Sequence, residues 1–261
     1  MQMVHSTPTQ TVSYECEKCE DVGGTFEQRE GLRYLDAEGN LQTSMAEYFV
    51  ECECVKQKRM AHIVKSSAIT PGFQSKGFKN FELEGRNAEV KTMYQMAADY
   101  YRNFTKDGAS ILFLGQPGAG KTHLMCAIAN SLMRTSLVPV MYFPWVEGMS
   151  EASANDFENK DRVTERMKHI DVLFIDDLYK PTQGKSTMYP WQSKMLYEVV
   201  NHRYLNNKPI MVSSELDINT LFGTDEATAS RLIEMAGTNI MQLSKSIENN
   251  YRLRGVLGGA Q

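Results

Sequence analysis

Three observations predict an α/β protein with a mostly parallel sheet. First, the stretch Gly115-Gln116-Pro117-Gly118-Ala119-Gly120-Lys121-Thr122 follows the apolar run Ile111-Leu112-Phe113-Leu114 and precedes Leu124, Ile128, Leu132 and Met133 at helical spacing. Second, strand-like runs recur between helix-period segments, at Val140-Met141-Tyr142-Phe143, Val172-Leu173-Phe174-Ile175, Ile210-Met211-Val212 and 240–243. Together with the run at 111–114 they make a five-stranded parallel sheet, with its ligand at the carboxyl ends of the strands. Third, four of the five cysteines lie ahead of this pattern as two close pairs. They predict a small zinc-binding β-rich module before the α/β domain.

Taken in order, residues 1–13 are rich in Thr, Ser and Gln and read as a disordered lead-in. The module follows over 14–65. It holds Cys16-x-x-Cys19 and Cys52-x-Cys54, with Gly39-Asn40 as a hairpin turn between strands near 32–35 and 48–50. A core this small supplies at most about 3–5 kcal/mol, whereas a structural zinc can contribute about 10–16 kcal/mol. That difference predicts Zn²⁺ on Cys16, Cys19, Cys52 and Cys54, with His62 as an alternative to Cys54.

Charge divides the first third of the chain. Residues 15–54 carry 11 acidic and 3 basic side chains, whereas 55–79 carry six basic and no acidic ones. An acidic ribbon repels phosphates and suits a protein partner better than nucleic acid. Thr70-Pro71-Gly72 and Lys76-Gly77 mark 66–79 as a basic linker, leaving 80–261 for the α/β domain. The net charge of −4 gives no global attraction to DNA. No apolar run is long enough for a membrane span, and the N-terminus lacks the form of a secretion signal. A cytoplasmic protein with no membrane partner is expected.

Val90, Met93, Ala97 and Tyr100 form a helical stripe within 88–104. The eight residues Gly115–Thr122 then fit G-x-x-x-x-G-K-S/T, a phosphate cradle. Its glycines let backbone N–H groups turn inward around phosphate oxygens at a helix N-terminus. Lys121 would meet the β/γ-phosphates of ATP, and Thr122 would hold Mg²⁺. His123 closes the nucleotide-binding run. Residues 144–160 read as a polar, irregular segment. The run ending in Asp176-Asp177 places one carboxylate toward Mg²⁺ and a second toward the attacking water. A flexible loop is expected over 180–189, and Cys126 is read as a small core residue. Ser214 and Glu215 end the fourth strand, where a phosphate-sensing group is expected.

The runs Asn80-Phe81 (read as opening a helix), GQPGAGKTHL at 115–124, VLFIDDL at 172–178 and Asn249-Asn250-Tyr251-Arg252 resemble the DnaC/DnaI-type replicative helicase loaders of bacteria and phages, which are AAA+ ATPases. The resemblance covers about residues 78–254 and implies a P-loop AAA+ domain. The cysteine-bearing part is similar to the zinc-containing helicase-binding domain of some loaders. It implies as partners the replicative helicase, single-stranded DNA and further copies of the chain in an ATP-dependent oligomer, in a bacterial host cytoplasm. It places catalytic roles on Lys121, Asp176 and Asp177, and an arginine finger at Arg231. The segment 144–160 falls where this clade inserts an extra helix. One departure stands out: Glu215 occupies a sensor position normally held by an amide or hydroxyl. A transposition helper ATPase and a P-loop kinase are the competing readings.

Overall fold

The computed structural model describes residues 14–153, 157–181 and 188–253. The lead-in 1–13 and most of the loop expected over 180–189 lie outside the described residues. The chain divides into two compact units, Met1–Ala61 and His62–Gln261.

The first unit is an antiparallel hairpin, β1 (Gly24–Leu35) and β2 (Leu41–Glu51), longer than the strands expected. Phe26 lies opposite Phe49 and Leu35 opposite Leu41, with a bulge between Glu30 and Arg33. Asp36 sets the turn, its carboxylate accepting from the backbone N–H groups of Glu38 (3.0 Å) and Asn40 (2.8 Å). Gly39 takes the left-handed conformation there, at φ +83°. Helix α1 (Glu53–Ser66) follows, where the sequence was read only as a change of charge.

The second unit holds a five-stranded sheet in the order β4-β5-β6-β3-β7. The strands are β3 (Ile111–Gly115), β4 (Val140–Pro144), β5 (Val172–Asp176), β6 (Ile210–Ser213) and β7 (Ile240–Leu243). Every neighbouring pair is parallel. Side chains alternate along each strand, so Ile111 and Phe113 enter one core and Leu112 and Leu114 the other. The first core packs against α3 (Ala88–Arg102) and α4 (Lys121–Thr135). The second packs against α5 (Trp145–Ser153), α6 (Phe157–His169), α7 (Pro190–Leu205) and α9 (Glu226–Ala236), with α8 (Ile218–Thr224) before the last. The stripe on α3 is buried, as is Cys126.

Three readings need correction. Residues 66–79 are not a linker: α2 (Pro71–Gln74) and a 3₁₀ turn, Phe78–Asn80, pack on α4. Asn130 donates to the carbonyls of Phe73 (2.9 Å) and Lys76 (2.8 Å), and Ile69 is buried. Asn80-Phe81 does not open a helix, because α3 begins only at Ala88, capped by the Asn87 side chain on Val90 N–H. The segment 144–160 is not irregular where it is described: Trp145 is buried at the start of α5.

Arg203 is fully buried on α7. Its guanidinium donates to the carbonyls of Met167 (2.8 Å), Ile170 (2.8 Å), Asp171 (3.0 Å) and Pro209 (2.7 Å). One side chain thereby ties the end of α6 to the starts of β5 and β6.

Candidate functional site

The glycine-rich loop leaves the sheet at the carboxyl end of β3. Gly115, Gly118 and Gly120 adopt φ of +92°, +77° and +103°, a region that other residues enter only with strain. Space also demands glycine at these positions. A Cβ would fall 2.3 Å from the Leu243 carbonyl at Gly115 and 2.1 Å from Asn250 Oδ1 at Gly118. At Gly120 it would meet the Phe81 ring at 2.6 Å. Gln116, Pro117 and Ala119 fill the rest of the loop, and α4 begins at Lys121 with its N-terminus toward the loop.

Lys121 is 5 % exposed and donates to the carbonyls of Gly115 (2.7 Å) and Gln116 (2.8 Å). Burial pulls its ammonium down to about 8, opposed by the nearby carboxylates of Asp177, Glu215 and Asp176. Thr122 Oγ1 donates to Asp176 Oδ1 at 2.8 Å. Asp176 also accepts from Tyr142 Oη (3.1 Å) and from the Ser213 hydroxyl. Burial raises its pKa, partly offset by the Ser213 hydrogen bond. This group of hard oxygen donors could hold Mg²⁺ beside a bound phosphate chain.

Asp177 takes a left-handed conformation, φ +55°, and its N–H donates to Ser213 Oγ at 3.0 Å. Its carboxylate pairs with Lys180 Nζ at 2.8 Å, and the same ammonium lies 3.0 Å from Glu215 Oε1. These groups line one cleft of about 440 Å³ together with Phe81, Arg86, Tyr251 and Arg252. That volume lies within the roughly 300–1,000 Å³ of small-molecule sites. The Arg86 guanidinium sits between the Phe81 ring (5.4 Å) and the Tyr251 ring (4.4 Å). Tyr251 N–H donates to the Gly118 carbonyl at 3.0 Å, so the chain near residue 251 forms one wall of the cleft.

Not every expected residue meets there. Ser214 is fully buried with its hydroxyl donating to the Leu178 carbonyl at 2.8 Å; the hydroxyl beside the carboxylates belongs to Ser213. His123 lines the cleft, but its Nε2 lies 3.1 Å from the Gly77 carbonyl and its ring stands edge-on to Phe81. Arg231 is not among the residues that line the cleft. It donates to Asn201 Oδ1 (3.0 Å) and the Ala227 carbonyl (2.7 Å) and lies over the Tyr197 ring at 5.1 Å. Lys180, Ser213 and Arg86 were not foreseen. Glu215 carried the one available signal, a carboxylate where a neutral group was expected.

The description IstB-like ATP binding protein matches residues 41–250. The chain belongs to this family. It is an AAA+ P-loop protein, an ATPase. Phage-like element PBSX protein XkdC of Bacillus subtilis is 41% identical over 248 residues, covering 93% of this chain and 88% of that protein. Replicative helicase loader DnaC of Escherichia coli K12 is 27% identical over 156 residues, 58% of this chain and 60% of that protein. The solved structure of DnaI aligns at a TM-score of 0.55 and 18% identity, covering 69% of this chain and 94% of that one. At that identity the likeness speaks for the fold. No helix among the described residues is long and apolar enough to cross a membrane.

In the first unit, Cys16, Cys19, Cys52 and Cys54 bring their sulfurs within 4.8 Å of one another. The Cys16–Cys52 and Cys19–Cys54 sulfur separations are 3.7 and 3.5 Å. A zinc ion bonded tetrahedrally at about 2.3 Å sets sulfurs about 3.8 Å apart, so the group fits that ion. Cys16 is lowered to about 7, chiefly by the Cys19 N–H, whereas burial pushes Cys54 up to about 12. His62 is not a member of the group.

Proposed function

We propose that this chain is an ATP-dependent loader of a replicative DNA helicase onto single-stranded DNA. The observation that carries the reading is a division of labour. Every residue lining the ATP cleft falls within 62–261, while the metal-type cysteine group and an exposed acidic hairpin fall within 1–61. An ATPase cleft lined by described residues within 62–261, together with a separate cysteine-bearing unit, suits a protein that grips another and acts on it. The likeness to DnaC, named a replicative helicase loader, supports this.

In the proposed cycle Lys121 neutralises the phosphate chain, and Thr122 and Asp176 would hold Mg²⁺, which would supply positive charge to the transferring phosphoryl group. Asp177 takes a proton from the attacking water as the bond from the γ-phosphorus to the bridging oxygen breaks and ADP leaves. Arg231 faces away from its own cleft and serves a neighbouring subunit's nucleotide in an ATP-dependent oligomer. Zn²⁺ on the four cysteines holds the first unit in its helicase-binding form. Contact with single-stranded DNA, made by local basic patches, carries a slope of about −0.7 in log K against log salt for each neutralised phosphate.

The test is capture of the purified host replicative helicase by the full chain with ATP, beside Cys16→Ser and Cys52→Ser. Capture by the parent, lost in both variants while ATP binding persists, supports the reading. Failure of the parent to capture the helicase overturns it.

A further inference from the structure

Glu215 lies two residues past the end of β6 and lines the cleft, where a bare carboxylate would repel a triphosphate. The structure supplies the compensating charge from a second segment. Lys180 Nζ lies 3.0 Å from Glu215 Oε1 and 2.8 Å from Asp177 Oδ2, and all three side chains line the cleft with Lys121 and Thr122. Backbone geometry brings Lys180 there. Asp177 and Tyr179 both take left-handed conformations (φ +55° and +62°), and Lys180 N–H closes the turn on the Asp177 carbonyl at 3.0 Å. The three side chains are 34–39 % exposed, so the bridge stands at the rim of the cleft and not in the core. An ammonium held at a rim by two partly solvated carboxylates can exchange one of them for a stronger anion.

We propose that Lys180 reads the terminal phosphate of ATP, with Glu215 as its seat, and that its move to that phosphate releases Asp177. With the phosphate absent, Lys180 bridges the two carboxylates and Asp177 is occupied as an ion-pair partner. With it present, the ammonium bonds the phosphate while keeping Glu215. Asp177 is then free to accept a hydrogen bond from water. Glu215 acts through Lys180 and is a positioning residue. A carboxylate thus stands at a phosphate-sensing position because it carries the sensing cation. The inference rests on the reading of this cleft as the ATP site.

The experiment compares affinities for ADP and for a non-hydrolysable ATP analogue, by calorimetry, in the full-length parent and in Lys180→Ala, Lys180→Arg and the double variant Lys180→Ala/Glu215→Asn. Lys180→Ala leaves two uncompensated carboxylates facing the phosphate. It should bind the analogue at least tenfold more weakly while ADP affinity changes less than twofold. Lys180→Arg should keep most of the discrimination, and the double variant, which restores a neutral amide, should recover part of it. A bridge that only braces the loop would leave the ratio of the two affinities at the parent's value. An equal change for both ligands, or none, overturns the proposal. If instead the parent binds neither ligand, or Lys121→Ala binds both like the parent, the ATP-site reading itself fails.

Discussion

The two units are held together by different means. Among the described residues of the first, only Cys19, Gly24 and Cys52 are buried, while Phe26, Leu32, Leu35, Leu41 and Met45 are more than half exposed. In the second, both faces of the sheet are covered and strands β3, β5 and β6 are buried along their length. The hydrophobic effect scales with the apolar area removed from water, so it stabilises the second unit and has little to act on in the first. Where the apolar core is missing, four sulfurs sit at the spacing of a metal tetrahedron. In the first unit the four cysteine sulfurs gather where the second unit has an apolar core.

Metal removal should break this contrast most. Zinc should copurify at one equivalent per chain, and chelation should withdraw about 10–16 kcal/mol from the first unit. Hydrogen exchange across 24–51 should then rise to the unfolded rate while β3 to β7 stay protected. Protein isolated without chelators and found free of metal would refute this.

The next effect belongs to the second unit alone. Arg231→Ala should bind ATP like the parent yet hydrolyse it about 10³-fold more slowly or worse, the scale of arginine fingers in related phosphoryl transfer. Lys121→Ala should fail by losing the nucleotide. Mixed, the two should recover part of the turnover, because an intact cleft in one subunit meets an intact Arg231 in another. Parent-like hydrolysis by Arg231→Ala alone would remove the residue from the reaction.

A smaller change probes the polar brace of the core. Arg203→Leu orphans the carbonyls of Met167, Ile170, Asp171 and Pro209. At about 1–3 kcal/mol for each one left without a partner or water, the second unit should lose several kcal/mol. Its thermal midpoint should fall by several degrees or more while zinc content holds at one equivalent. An unchanged midpoint would mean that water replaces the guanidinium.

The smallest effect is one of pH. Lys121 is pulled down to about 8, so its charge fades as pH rises through that value. ATP affinity should therefore fall between pH 7 and 9, by up to about tenfold, with proton uptake on binding at the upper end. A flat profile in the parent, or the same slope in Lys121→Ala, would assign the pH dependence to another group.

The legible parts of the chain are those whose chemistry is local. The loop 115–122 and the pair Asp176-Asp177 each declare themselves within ten residues, because a phosphate cradle and a strand-end carboxylate need particular neighbours in the chain. Both cysteine pairs are legible for the same reason. What was missed depends on partners far apart. Lys180 acquires meaning only beside Glu215, 35 residues on, and Arg203 only beside carbonyls up to 36 residues away. Ser213 and Ser214 differ by one position, which on a strand means opposite faces; the sequence could not say which hydroxyl reaches Asp176. Residues 66–79 read as a linker because Thr70-Pro71-Gly72 and Lys76-Gly77 are turn signals, yet Ile69 and Phe73 find a core formed by α3 and α4.

The cleft wall at Tyr251 also sets a schedule for synthesis. The cradle is complete once Thr122 has been made, but the backbone that bonds Gly118 is made about 130 residues later. At roughly 5–20 residues per second, a ribosome takes about 7 to 26 s to cover that distance. The four cysteines are all in place by residue 54, well before the cradle begins. The cysteine group can therefore assemble early in the nascent chain, whereas the nucleotide cleft is unfinished until residue 251 has been made.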